Sequence, residues 1–170
     1  MKKLHIAIAV IIIALAIAGA FLYVSTSRSV ELGSSSFALP DKFTVKENVT
    51  TGNLSVVHIK KGGTVLSVAE VKDSNDLDGT INAFKESVKD NGDVKIENFN
   101  VGDNITAKKV VYRRNLTNNE TNKTDNTVAT RYYAKKGNTV YFVESKSEKD
   151  EAGKGIDALA REIIKSLNKK

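Results

Sequence analysis

Hydrophobic and polar positions change rhythm several times along this chain. Leu4 to Val24 is an apolar run interrupted only by His5. From Phe37 onward apolar residues thin out and alternate with polar ones, the period-2 pattern of half-buried strands. An opening strand is predicted over Phe37 to Val45 around Pro40, a residue that argues for a sheet edge because it cannot donate to a ladder. Leu54 to Ile59 and Thr64 to Val71 are β-rich runs joined by Lys60-Lys61-Gly62-Gly63, where glycine supplies the positive φ of a tight hairpin. From Asp73 to Lys89 the spacing becomes helical, with Leu77, Ile81, Phe84 and Val88 on one face. Asp73 or Ser74 is available as N-cap, and Asn91-Gly92 is a suitable stop.

Strands are predicted again over Val94 to Val101 and Ile105 to Arg114, on either side of a Gly102-Asp103-Asn104 turn. Val128 to Ala134 meets Thr139 to Ser145 through Lys135-Lys136-Gly137-Asn138, the same turn solution as the first hairpin. Asn115 to Thr127 is nearly devoid of apolar side chains and reads as a mobile, solvent-exposed hairpin loop. Asp150 to Asn168 closes the chain as a helix, with Ala152, Ile156, Leu159, Ala160, Ile163, Ile164 and Leu167 forming one stripe suited to covering a sheet face.

The first run, residues 1–24, is about 21 apolar residues behind Lys2 and Lys3, enough to cross a ~30 Å hydrocarbon core. It reads as a retained transmembrane anchor. Ala18-Gly19-Ala20 offers the competing reading, a signal peptide cleaved after Ala20 and a secreted product. Lys2 and Lys3 on one side and only Arg28 close on the other place the N-terminus in the cytoplasm and the remainder outside. Residues 25–36 are Ser-rich and read as a flexible linker. Residues 37–170 are the extracytoplasmic domain.

The predicted order is strand, hairpin, helix, strand, turn, strand, loop, hairpin and amphipathic helix, an α+β arrangement with a mainly antiparallel sheet. Three segments stand out: Phe37-Ala38-Leu39-Pro40-Asp41-Lys42-Phe43, then Val101-Gly102 before Ala107-Lys108-Lys109-Val110-Val111-Tyr112, and Ile163-Ile164-Lys165-Ser166-Leu167. With them the chain resembles the Mog1/PsbP-like family from about Phe37 to Leu167. The frequent Trp after the family's first Pro is Phe43 here. The resemblance implies an α/β/α sandwich and carries over no functional residue, because members serve unrelated roles.

Composition narrows the chemistry. With no Cys, no Trp and two His in 170 residues, disulfide frameworks, thiolate zinc sites and cysteine nucleophiles are excluded. His58 is the only histidine beyond the apolar run and sits mid-strand, without a spacing that would make a triad. Asp73 to Phe84 superficially resembles a calcium loop but has Asp78 at the glycine position and Phe84 at the closing glutamate position. Gly62-Gly63 and Gly137 join strands instead of opening a helix, so they are not phosphate loops. No cofactor, metal or catalytic residue is expected. Asn-x-Ser/Thr acceptors stand at Asn48, Asn53, Asn104, Asn115, Asn119 and Asn122, which reads either as an outward-facing domain that carries glycans or as the product of an Asn- and Thr-rich composition.

The net charge is +6, to which Lys2 and Lys3 contribute ahead of the apolar run. Lys108, Lys109, Arg113, Arg114, Arg131, Lys135 and Lys136 fall on strands or turns expected to be neighbours, with Tyr112, Tyr132 and Tyr133 among them. They read either as a solvated edge that discourages aggregation or as a docking face for an anionic envelope polymer, a lipid headgroup or an acidic surface protein. Nucleic acid is excluded as a partner by the outward orientation. The sequence thus points to a non-catalytic, membrane-anchored extracytoplasmic binding or assembly module. A secreted or anchored hydrolase using dispersed carboxylates is the alternative.

Overall fold

Strand alternation and two amphipathic helices account for the architecture. The computed structural model describes residues 28–102, 105–118, 123–147 and 153–170. Chain order is β1 (Ser29–Leu32), β2 (Ser35–Ala38), β3 (Thr44–Thr51), β4 (Leu54–Lys61), β5 (Thr64–Val71), α1 (Leu77–Val88), a 3-10 turn (Lys89–Asn91), β6 (Lys95–Asn98), β7 (Thr106–Asn118), β8 (Lys123–Lys136), β9 (Thr139–Ser147), α2 (Gly153–Ser166) and β10 (Asn168–Lys169). The main sheet runs β3-β4-β5-β9-β8-β7-β6, with every neighbouring pair antiparallel. A smaller sheet, β1-β2-β10, is also antiparallel. The fold is α+β.

Successive residues of a strand point to opposite faces, and the apolar residues divide accordingly. Val57, Ile59, Leu66, Val68, Tyr132, Tyr141 and Val143 form one cluster with Leu32 and Phe37 of the small sheet and Ile156, Ala160, Ile163, Ile164 and Leu167 of α2. Ala69, Val110, Tyr133, Val140 and Phe142 form the other with Leu77 and Ile81 of α1. Leu66 to Glu70 of β5 and Tyr141 to Ser145 of β9 are buried without a break, since these strands lie in the middle of a sheet covered on both faces. β3, at the edge, is exposed along its whole length.

Both predicted hairpins form, with Gly62 at φ 57° and Gly137 at φ 60° in their turns. Five expectations are corrected. Within the expected linker 25–36, Ser29–Leu32 and Ser35–Ala38 are paired strands, with Leu32 and Ser35 fully buried. Serine-rich composition reads as a tether, yet its hydroxyls find partners inside: Ser35 Oγ lies 2.8 Å from Tyr141 Oη, and Ser34 donates to Glu70 through its N–H (3.1 Å) and hydroxyl (2.5 Å). The folded domain therefore begins before Phe37. The opening strand over Phe37 to Val45 is broken at Pro40, whose carbonyl accepts from Phe43 N at 3.1 Å across a turn that puts Lys42 at φ 64°.

Helix α1 starts later than predicted. Asp76 is the N-cap, accepting from Gly79 N at 2.9 Å, while Asp73 sits at φ 57° in the preceding turn. The polar stretch Asn115 to Thr127 is strand at both ends, because cross-strand pairing holds from Arg114↔Thr127 to Asn118↔Lys123. Backbone hydrogen bonding there needs no apolar side chain, so composition misled. Residues 119–122 lie outside the described residues. At the C-terminus, Asn168 leaves the helix and joins β10. No helix among the described residues is long and apolar enough to cross a membrane, and the predicted anchor 1–24 lies outside them.

Candidate functional site

Pairing of β7 with β8 sets Lys108 opposite Tyr133, Lys109 opposite Tyr132 and Val110 opposite Arg131. Tyr132 belongs to the α2 face and Tyr133 to the α1 face. The predicted docking residues are therefore divided between two faces. Lys109, Arg113 and Lys136 lie on the α2 side, and Lys108, Tyr112, Arg131 and Lys135 on the α1 side. Arg114 pairs with Thr127 in the β7–β8 ladder.

Several of them turn inward. Arg131 Nε bonds the carboxylate of Glu144, its cross-strand neighbour, and its terminal nitrogen donates to Tyr133 Oη at 3.1 Å. Its guanidinium lies 4.0 Å from the Phe84 ring centre and 4.4 Å from that of Phe142. Phe84 in turn meets the buried Tyr112 edge-on, with centres 4.8 Å apart. Burial disfavours the charged guanidinium, but Glu144 and Tyr133 more than offset this and hold Arg131 cationic. Burial likewise pushes the Tyr133 phenol up, with Arg131 working against it. This cage fixes α1 to the sheet through the stacking of Arg131 on Phe84 and the edge contact of Phe84 with Tyr112, while the ionic contact lies within the sheet.

A second constellation fixes α2. Asp157 Oδ1 accepts from Lys109 Nζ at 2.9 Å and from Tyr132 Oη at 2.6 Å. Burial alone would raise the Asp157 carboxyl, yet the bonds from Tyr132 and Lys109 pull it below the usual carboxylate range. The Tyr132 phenol is held far above its ordinary value, by burial first and then by its bond to Asp157. Arg161, one turn on, donates to Asn100 O at 2.9 Å and lies 4.8 Å from the Phe99 ring centre. A neutral tyrosine and a doubly bonded carboxylate pin α2 to the sheet at neutral pH.

Lys136 donates to the carbonyls of Lys165 (2.9 Å) and Leu167, capping the C-terminal end of α2. Lys108 Nζ donates to Asn98 Oδ1 at 2.7 Å. Arg113 is exposed and Lys135 half-buried. Sequence proximity gathered these groups, and the pleat separates them.

Among the acceptors for N-glycosylation, Asn48 lies on the exposed edge strand β3, its amide donating to Glu31 O at 3.1 Å, and Asn53 is exposed in the β3–β4 turn. Asn115 is on β7, and Asn104, Asn119 and Asn122 lie outside the described residues. His58 Nδ1 lies 2.9 Å from Ser67 Oγ across the β4–β5 ladder. Among the described residues, no group of three or more His, Asp or Glu side chains converges as a metal site.

Sequence reasoning missed two features. Glu70, 2% exposed, receives the β1–β2 turn through the Ser34 bonds, and its only signal was one acid within a β-rich run. The other is a basic cluster of Lys42, Lys46, Lys60 and Lys61, all exposed, where β3 begins and β4 turns into β5. Its signal was the Lys60-Lys61 pair, read only as turn chemistry. No protein-family model matches the chain, and no curated protein matches it.

Proposed function

We propose that this chain is a single-pass membrane-anchored extracytoplasmic domain that binds or assembles a partner at the cell surface without catalysis. The observation that carries the reading is the short join between Val24, where the apolar run ends, and Ser29, which opens β1. That connection spans at most ~18 Å when extended, so an anchored domain is held close to its bilayer. Helices against both faces of the mainly antiparallel sheet support the finer α/β/α reading of the Mog1/PsbP-like kind. Its partner is an anionic envelope polymer or an acidic surface protein, met by the lysines and arginines that remain exposed. Glycans on the Asn48 and Asn53 acceptors fit the same outward placement.

The hydrolase alternative needs a carboxyl kept protonated near neutral pH. Asp157 is shifted the opposite way.

Alkaline carbonate washing of membranes and protease treatment of intact cells test the placement. Retention in the washed membrane together with cleavage of the domain from outside is expected; release by carbonate with full protection would overturn it. Cross-linking in intact cells and recovery at low and high salt then tests the binding role. A partner lost at high salt is the expected outcome, and none recovered at either salt would sink the protein-partner version.

A further inference from the structure

The exposed basic cluster lies near Arg28, the first described residue, four positions after the apolar run in sequence. Leu39 N donates to Arg28 O at 2.8 Å, Phe43 N to Pro40 O at 3.1 Å, and Thr44 pairs with Lys60. These contacts place the join, the Pro40 turn and the Lys60-Lys61-Gly62-Gly63 tip side by side. Asp41 and Glu47, the latter paired with His58, are the carboxylates within residues 40–47 and 58–65, against Lys42, Lys46, Lys60 and Lys61. Val45 and Val65 flank the tip at 43% and 40% exposed. Val45 pairs with Ile59 and Val65 with Lys60, so they stand on opposite faces of the same ladder. Lys61 Nζ lies 5.8 Å from the ring centre of Phe43, whose side chain is buried beneath it.

Ammonium groups gathered at one end of the β3–β4–β5 ladder, with one exposed valine on each face, are suited to a surface of anionic headgroups. The charges attract it over a Debye length of ~10 Å, and the valines add contact once they reach it. We propose that the β3–β4–β5 corner of this end, away from the β7–β8 ladder that runs on past it from Arg113↔Val128 to Asn118↔Lys123, docks onto anionic lipid in the same bilayer that holds Leu4 to Val24, so that the domain stands in one orientation with the Gly137 hairpin facing away. The proposal rests on the anchored reading. The short join supplies the occupant, because it keeps the tip within reach of that bilayer and of no other surface by default. The opposite hairpin supplies the direction: Val71 pairs with Val140, which puts Gly137 and Asn138 at the other end of β5 from Gly62 and Gly63. Those two ends are roughly 25 Å apart along an eight-residue strand.

The test uses the full chain reconstituted in vesicles of phosphatidylcholine alone, or with about a third phosphatidylglycerol. The chain has no Cys, so a single introduced thiol gives a unique label. Gly63→Cys places it at the tip, where a new Cβ meets nothing within 4 Å, and Asn138→Cys places it in the exposed far turn. Each carries a fluorophore read against a quencher attached to lipid headgroups. In anionic vesicles, quenching is expected at position 63 and not at 138, reversed by high salt. Lys60→Gln and Lys61→Gln should each lower the ratio of docked to free tip about fivefold.

Equal quenching at both positions would overturn the proposal. So would equal quenching at 63 in neutral and anionic vesicles, which would mean that the tether alone brings the tip close. A chain that leaves the vesicles on carbonate washing would overturn the anchored reading and this inference with it. One that stays while position 63 remains unquenched overturns the docking alone.

Discussion

The β4–β5 and β8–β9 hairpins turn through nearly the same residues, Lys60-Lys61-Gly62-Gly63 and Lys135-Lys136-Gly137-Asn138, with glycine at φ 57° and 60°. Each also carries a side-chain bond between cross-strand partners, His58 with Ser67 and Arg131 with Glu144. Yet Lys60 and Lys61 are exposed at an open tip, whereas Lys136 is committed to the carbonyls that end α2. His58 stands one strand from the sheet edge, and Arg131 is enclosed by Phe84, Phe142 and Tyr133 beneath α1. A turn sequence thus settles turn geometry and nothing about what its lysines do. That depends on which helix reaches the end of the sheet.

Cutting the two cross-strand pairs gives the largest contrast. Glu144, 5% exposed, is the anionic partner of a largely enclosed cation. Glu144→Ala should cost about 3–5 kcal/mol, because Arg131 is then left charged without a counterion. Ser67→Ala removes one half-buried hydrogen bond to an imidazole and should cost about 0.5–1.5 kcal/mol. Urea unfolding of the two variants decides the matter, and equal losses would mean that the cage contributes no more than an ordinary bond.

The lysines come next. Lys136→Met keeps the aliphatic stem and removes the ammonium, so it should cost about 1–2 kcal/mol through the uncapped α2 carbonyls. Lys61→Met, with only a partial contact over Phe43, should stay within about 0.5 kcal/mol. If Lys61→Met proved the more costly of the two, the division between a free tip and a structural one would be wrong.

The same contrast explains what could be read from the sequence. Both hairpins were legible because period-2 runs and a glycine turn are local signals. So was α2, whose Ile156, Ala160, Ile163, Ile164 and Leu167 form one stripe that ends up in one cluster. Strands β1 and β2 were not, because what turns serines into structure is Glu70, a buried carboxylate far along the chain. Nor was the fate of the basic residues. Lys108 and Lys109 are neighbours in sequence and face opposite helices, which only register reveals, since a shift of one residue would exchange them. Composition could count the charges but not say which would meet Asp157, Glu144 or a helix end.

Acid sharpens the comparison at the other end of α2, where Asp157 answers Lys109 and Tyr132. Its folded carboxyl is held below the ordinary value, so the folded state binds fewer protons than the unfolded chain in that range. Stability from this group is therefore fully present above the ordinary carboxylate pKa of about 4 and is lost as pH falls through the lower folded value. Asp157→Asn should flatten that acid limb in thermal melts followed from neutral to acid pH. An unaltered limb in Asp157→Asn would show that the pin is energetically silent.

Smallest of all should be the difference between the two turn glycines themselves. Gly62 and Gly137 share a left-handed φ, and a Cβ added at either would meet nothing within 4 Å. Only the backbone penalty remains, so Gly62→Ala and Gly137→Ala should each cost about 1–2 kcal/mol and agree with one another. Agreement would assign the whole difference between the hairpins to their lysines and cross-strand pairs. A much larger loss at Gly137 would mean instead that a small shift of that turn pulls Lys136 off the end of α2. Combining Gly137→Ala with Lys136→Met would then give less than the sum of the two losses in urea unfolding, whereas independent contributions would add.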